Sequence, residues 1–72
     1  MKFQLFTQVA LKKDLPQFGV KKGSIAIVVE VYEMSNGEEN GYSLEGLIPN
    51  DTIEVSESQI EAVTTPIGTF TH

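Results

Sequence analysis

One run of apolar, β-branched residues sets the terms for the whole chain: Gly23-Ser-Ile-Ala-Ile-Val-Val-Glu-Val-Tyr-Glu33. Strand side chains alternate with a period of two, so Ile25, Ile27, Val29 and Val31 fall on one side of an extended segment. The other side carries Ala26, Val28, Glu30 and Tyr32, apolar at first and polar later. Valine and isoleucine are stiff at χ1 and suit a pleated surface better than a helix. The stretch predicts a long central strand whose first half is covered on both faces.

What surrounds that strand is small. Seventy-two residues make one domain with a thin core, since a chain of this size buries only roughly 60% of its extended surface. Cysteine is absent, which removes disulfides, thiolate nucleophiles and cysteine-ligated zinc. The opening residues, Met1 to Gln8, hold glutamines and no long apolar run, so they read as neither signal peptide nor membrane anchor. The expected location is cytoplasmic.

Charge is divided along the chain. All five lysines lie in the first 22 residues with a single acid, Asp14, whereas Gly23 onward holds nine acids and no base, giving the net −5. There is no arginine, the usual fork for phosphate and guanine edges. An acidic chain without arginine has the wrong overall field for nucleic acid.

Taken in order, Phe3, Leu5, Val9 and Leu11 supply a first strand, secure from Thr7 onward. Lys12 to Gly23 is a long loop, with Pro16 removing a donor and Gly19 and Gly23 permitting positive φ. Its apolar members Leu15, Phe18 and Val20 are spaced to fold back over the open end of a barrel. Asn36-Gly37 and Asn40-Gly41 are competing hairpin signals after the central strand. Tyr42 to Leu47 follows as a third strand, with Gly46 marking a bulge or bend. Pro49 presets a turn, Thr52 to Val55 alternates as a fourth strand, and Ser56 to Gln59 makes one 3-10 turn. Ile60 to Val63 closes the set. Five short strands with these connections predict an all-β fold, a small five-stranded SH3-like barrel over residues 1–63. Residues 64–72 form a separate tail with Ile67 and Phe70 as its apolar anchors, suited to a surface groove or a second copy.

Three segments together resemble a family of short bacterial proteins catalogued as a domain of unknown function. They are Val9-Ala-Leu11, Asp14-Leu-Pro-Gln-Phe-Gly-Val-Lys-Lys-Gly23 and Ile27-Val-Val-Glu-Val-Tyr32. The family pattern, D-[LI]-P-x-x-G-[LV]-x-x-G-x-x-G-x-V-V-x-V-Y, is followed from Asp14 to Tyr32, with Ala26 standing where its last glycine usually falls. The likeness as a whole covers roughly residues 5 to 63, ending in Glu54-Val-Ser-Glu-Ser-Gln-Ile60 to Val63. The resemblance implies an SH3-like barrel and, because such proteins look like the small partner in two-gene operons, a protein-binding or antitoxin-like role. It brings no catalytic residue. A looser resemblance, resting on Gly23 before the central strand, is to the KOW-type barrels of ribosomal and transcription proteins. Another is to the SH3-like ferredoxin-docking subunits of photosynthetic dehydrogenase complexes, where the acidic charge would repel an acidic ferredoxin.

The chemistry-bearing residues point away from an enzyme. The one histidine is His72, the last residue, where nothing holds it in a productive geometry. The carboxylate pairs, Glu38 with Glu39 and Glu30 with Glu45 across strands, are expected to be solvated. No cofactor or metal site is expected; Glu38, Glu39 and Asn40 lack the spacing of a calcium loop. Lys12, Lys13, Lys21 and Lys22 gather at the base of the long loop, either as a solubilising rim or as a site for an anionic partner. Phe18 lies in that loop and is read as a plug, not a base-stacking platform. Tyr32 and Tyr42 alone make a thin groove for proline-rich peptides. Phe6, Ile48, Ile67 and Phe70 have no evident place in a five-strand core and make a candidate patch for a protein partner or a homodimer. The reading is a non-catalytic protein-binding module. A KOW-like nucleic-acid- or ribosome-associated module using the four lysines is the alternative.

Overall fold

The structure, a computed structural model, describes residues 2–63. Five antiparallel strands form one sheet: β1 (Gln8–Leu11), β2 (Ile25–Tyr32), β3 (Gly41–Ile48), β4 (Asp51–Ser56) and β5 (Ile60–Ala62). Their order across the sheet is β4-β3-β2-β1-β5, so the strand predicted as central is central. A meander of four strands whose fifth returns beside the first, with a 3-10 turn (Glu57–Gln59) before it, is the SH3-like barrel. No described helix is long and apolar enough to cross a membrane.

The inner face carries Val9, Leu11, Ala26, Val28, Tyr42, Leu44, Ile53, Val55 and Ile60, all buried. Fully burying such a side chain is worth roughly 1.5–3 kcal/mol, and in a chain this short each one counts. Phe3 closes one end, its ring edge-on to Tyr42 at 5.5 Å and 78°. Leu15 and Val20, bridged across the long loop, close the other. Phe18 does not join them. It lies 43% exposed, so the plug is Leu15 with Val20 alone. That loop holds a second 3-10 turn, Pro16–Phe18, which the sequence did not announce. Pro16 starts it and Gly19 ends it in the left-handed region at φ 70°.

The central strand departs from simple alternation. Ala26 and Val28 are buried, whereas Ile25 is 46% exposed and Ile27 and Val29 are half-buried. The inward face is therefore the even one, and the first half is not covered on both sides. Pairing with β3 shifts register between Val28 and Glu30, a β-bulge that leaves Val29 without a cross-strand partner. Beyond it the phase reverses: Val31 faces Tyr42 and packs on the core, while Glu30 faces Ser43. Ile48, expected to be homeless, also packs against the core.

The hairpin tip is settled in favour of Asn36-Gly37, with φ of 61° and 82°. Asn40 instead accepts the Met34 N–H through its side-chain oxygen at 3.0 Å. Gly46 takes φ 105° where the β3–β4 register shifts, the predicted bulge.

Candidate interaction surface

The bulge in β2 coincides with an irregular N-terminal segment, and the two together build a partly apolar exposed surface. After Phe3 enters the core, the chain turns outward. Phe6 adopts φ 64°, a conformation that costs a bulky side chain strain. The turn is held by Thr7, whose hydroxyl donates to the Gln4 carbonyl at 2.7 Å, and by two bonds to Val28 of β2, just before the bulge. The Phe6 N–H donates to the Val28 carbonyl at 2.6 Å, and the Val28 N–H donates to Thr7 at 3.0 Å. Phe6 is consequently 72% exposed and Leu5 46% exposed. Leu5, Val29 and Val31, with Glu30 and Glu33, line an open depression.

Of the residues proposed from the sequence, Phe6 stands in this surface. Tyr42 does not belong to any surface: it is fully buried, and its phenol donates to the Glu57 carboxylate while accepting the Phe3 N–H at 3.4 Å. Burial first, and the Glu57 carboxylate second, hold the Tyr42 phenol above its ordinary pKa, with the Phe3 N–H opposing them. Tyr32 is half-buried on the outer face of the sheet. Its hydroxyl pairs with Ser43 at 2.8 Å and reaches Glu30 and Glu54 at 3.3 and 3.4 Å. One phenolic proton serves one carboxylate at a time, so this is a polar clasp across β2, β3 and β4 that satisfies the buried Ser43 hydroxyl. Met34, 50% exposed, shares a second shallow depression with Tyr32, Glu54 and Gln59. Ile67 and Phe70 lie outside the described residues.

The carboxylates are placed differently from expectation. Glu30 faces Ser43 with Glu54 beyond, and Glu45 faces Ile27, so the pair Glu30–Glu45 does not form across strands. Glu38 and Glu39 are exposed, and Glu39 is in addition tied down. Its carboxylate accepts the Ser58 N–H at 2.7 Å and the Ser58 hydroxyl at 3.2 Å, while the Asn40 carbonyl accepts the Glu57 N–H at 2.9 Å. The hairpin loop is thereby tied to the 3-10 turn before β5. Among the described residues no group of three or more histidines, aspartates or glutamates is placed to hold a metal ion.

The lysine loop is drawn shut at its base. The Gly23 N–H donates to Leu11 at 2.8 Å, the Leu11 N–H to Ser24 at 3.0 Å and the Lys22 N–H to the Asp14 carboxylate at 2.8 Å. Lys12, Lys13, Lys21 and Lys22 are all exposed around that base, and Phe18 stands exposed in the same loop.

Leu5, Val29, Val31, Glu33 and Met34 escaped sequence reasoning. Alternation places Leu5 on a first strand and Val29 and Val31 on one face of the central strand, and a bulge made of valines leaves no glycine or proline to betray it. Comparison with protein-family models, curated proteins and solved structures finds no match to the chain.

Proposed function

We propose that this chain is a non-catalytic, cytoplasmic protein-binding module, the small, antitoxin-like partner of a neighbouring gene's product. The observation that carries the reading is Phe6, an aromatic side chain 72% exposed on a strained backbone. Strain of this kind persists where the surrounding structure enforces it, and it concentrates at binding sites. Buried aromatic anchors supply most of the energy of protein interfaces. The resemblance to the bacterial family with its two-gene arrangement points the same way. The test is native mass spectrometry of tagged protein gently purified from its own host. One co-purifying protein at fixed stoichiometry, lost in Phe6→Ala, is the expected result. Purification alone, or with Phe6→Ala fully competent, refutes it.

A second reading is favoured by Phe18. An exposed ring in the loop that carries Lys12, Lys13, Lys21 and Lys22 has the elements of a KOW-like nucleic-acid contact, cations beside a stacking surface. Binding of RNA or DNA that falls steeply with salt and disappears when the four lysines are replaced would establish it. No binding at low salt would end it.

A further inference from the structure

Among the described residues the second half of β2 is an open sheet edge. β1 pairs with β2 only at Ile25, Ala26 and Ile27, and Phe6 and Thr7 complete that side at Val28. From Val29 onward, no described strand lies beside β2 on the side away from β3. The direction of the backbone follows from the side chains, because face and hydrogen-bonding side alternate together along a strand. Val28 is buried and its N–H and C=O both reach toward the N-terminal segment. Val31 is on the same inner face after the bulge, so its N–H and C=O turn to that same side, where no described strand pairs with them.

An unpaired strand edge is a template for another extended segment, and natural proteins normally blunt it with lysine, proline or a covering element. Here it is bordered by the apolar side chains of Leu5, Val29 and Val31 and by the carboxylates of Glu30 and Glu33, with Phe6 exposed beside them. We infer that this edge receives an extended segment of another protein with alternating apolar and basic residues, added as a strand in line with β1. Main-chain bonds to Val31 extend the sheet. An apolar side chain of the incoming strand packs into the depression, and a lysine or arginine on its neighbours answers Glu30 and Glu33. Charge decides among occupants. A second copy paired edge to edge would bring Glu30 and Glu33 against the same two acids. Residues 64–71 offer no cation, and Pro66 lacks a donor. Only a basic strand satisfies both the backbone and the two acids.

The inference rests on the binding-module reading and is tested separately from it. The amide NMR spectrum of the isotopically labelled full chain is followed as acetyl-Lys-Val-Lys-Val-Lys-Val-amide is added. Saturable shifts at Phe6 and over Val29 to Glu33 are expected. They should weaken by at least roughly tenfold, the scale of two or more lost ion pairs, with the corresponding Glu-Val peptide and in the Glu30→Lys/Glu33→Lys variant. They should also weaken with the Lys-Val peptide N-methylated at its valines, which keeps the charge and removes the donors. Equal response to the acidic or N-methylated peptide, shifts elsewhere, or none at all overturns the inference. So does a Val31 amide already protected from exchange in the free chain, whether through contact with Phe70 or through concentration-dependent self-association. If a partner co-purifies from the host and still binds the double variant, the edge site fails and the binding module stands. No partner and no peptide response would remove both.

Discussion

Replacing Tyr42 by phenylalanine isolates the one buried phenol that the fold depends on. The ring, and its edge-on contact with Phe3, would remain, so the change is confined to one oxygen. That oxygen donates to the Glu57 carboxylate and accepts the Phe3 N–H. A hydrogen bond to a charged acceptor contributes about 1.5–3 kcal/mol net. Glu57 is only half-buried and can regain water, which places its share near the lower end; the Phe3 bond, at 3.4 Å, is long and adds little. The expected loss is about 1.5–2 kcal/mol, a fall in Tm on the order of 10 °C for so small a domain. The same group makes a distinct pH prediction. The folded phenol titrates above its ordinary value, so the unfolded chain releases this proton first as pH rises. Its contribution is fully present below about pH 10, the unfolded value, and is lost as pH climbs toward the raised folded value. Urea titrations of the natural chain and Tyr42→Phe, at neutral pH and above about pH 10, would show the two midpoints converging with alkali. A variant as stable as the natural chain at neutral pH, or a gap that does not close in alkali, would refute the reasoning.

Other perturbations separate backbone from packing. Leu44→Ala, at a fully buried position facing Val28 and Ile53, should cost about 3–5 kcal/mol by urea titration. Gly46→Ala should cost about 1–2 kcal/mol although an added Cβ would touch nothing, because φ 105° is the whole penalty. Glu39→Gln should cost about 0.5–1.5 kcal/mol, with faster amide exchange at Ser58, as the charged acceptor is lost. Phe6→Gly runs the other way. Relief of the left-handed strain should leave stability unchanged or raise it by up to about 1 kcal/mol in thermal unfolding, while binding to the partner fails.

The barrel was legible because its strands are short and patterned and its turns carry their own chemistry. Asn36-Gly37, Gly46 and the Ser56–Gln59 turn each announced a backbone conformation that the structure adopts. Inside β2 the sequence misled. Isoleucine and valine occupy both faces, so alternation alone could not say which side is inward, and a bulge of one valine reverses the phase midway. Tyr42 and Phe18 were misplaced for a related reason: an aromatic ring suits core and surface equally, and only the neighbours decide. Phe3 and Glu57 claimed Tyr42, whereas Leu15 and Val20 filled the loop without Phe18.

The return of β5 to β1 has a kinetic meaning. β2 and β3 are joined by a hairpin loop of eight residues and β3 and β4 by a two-residue turn, so these strands can pair locally, but Val9 meets Ala62 only after nearly the whole described chain has been gathered in. Loop-closure entropy makes such a contact late in folding and early to open. The bonds from Glu39 and Asn40 to the turn before β5 shorten that search, since they fix the start of the last strand once the central hairpin exists. A partner strand added at the open edge of β2 would engage the part of the sheet that forms first, so it could be captured by a chain whose ends have not yet met.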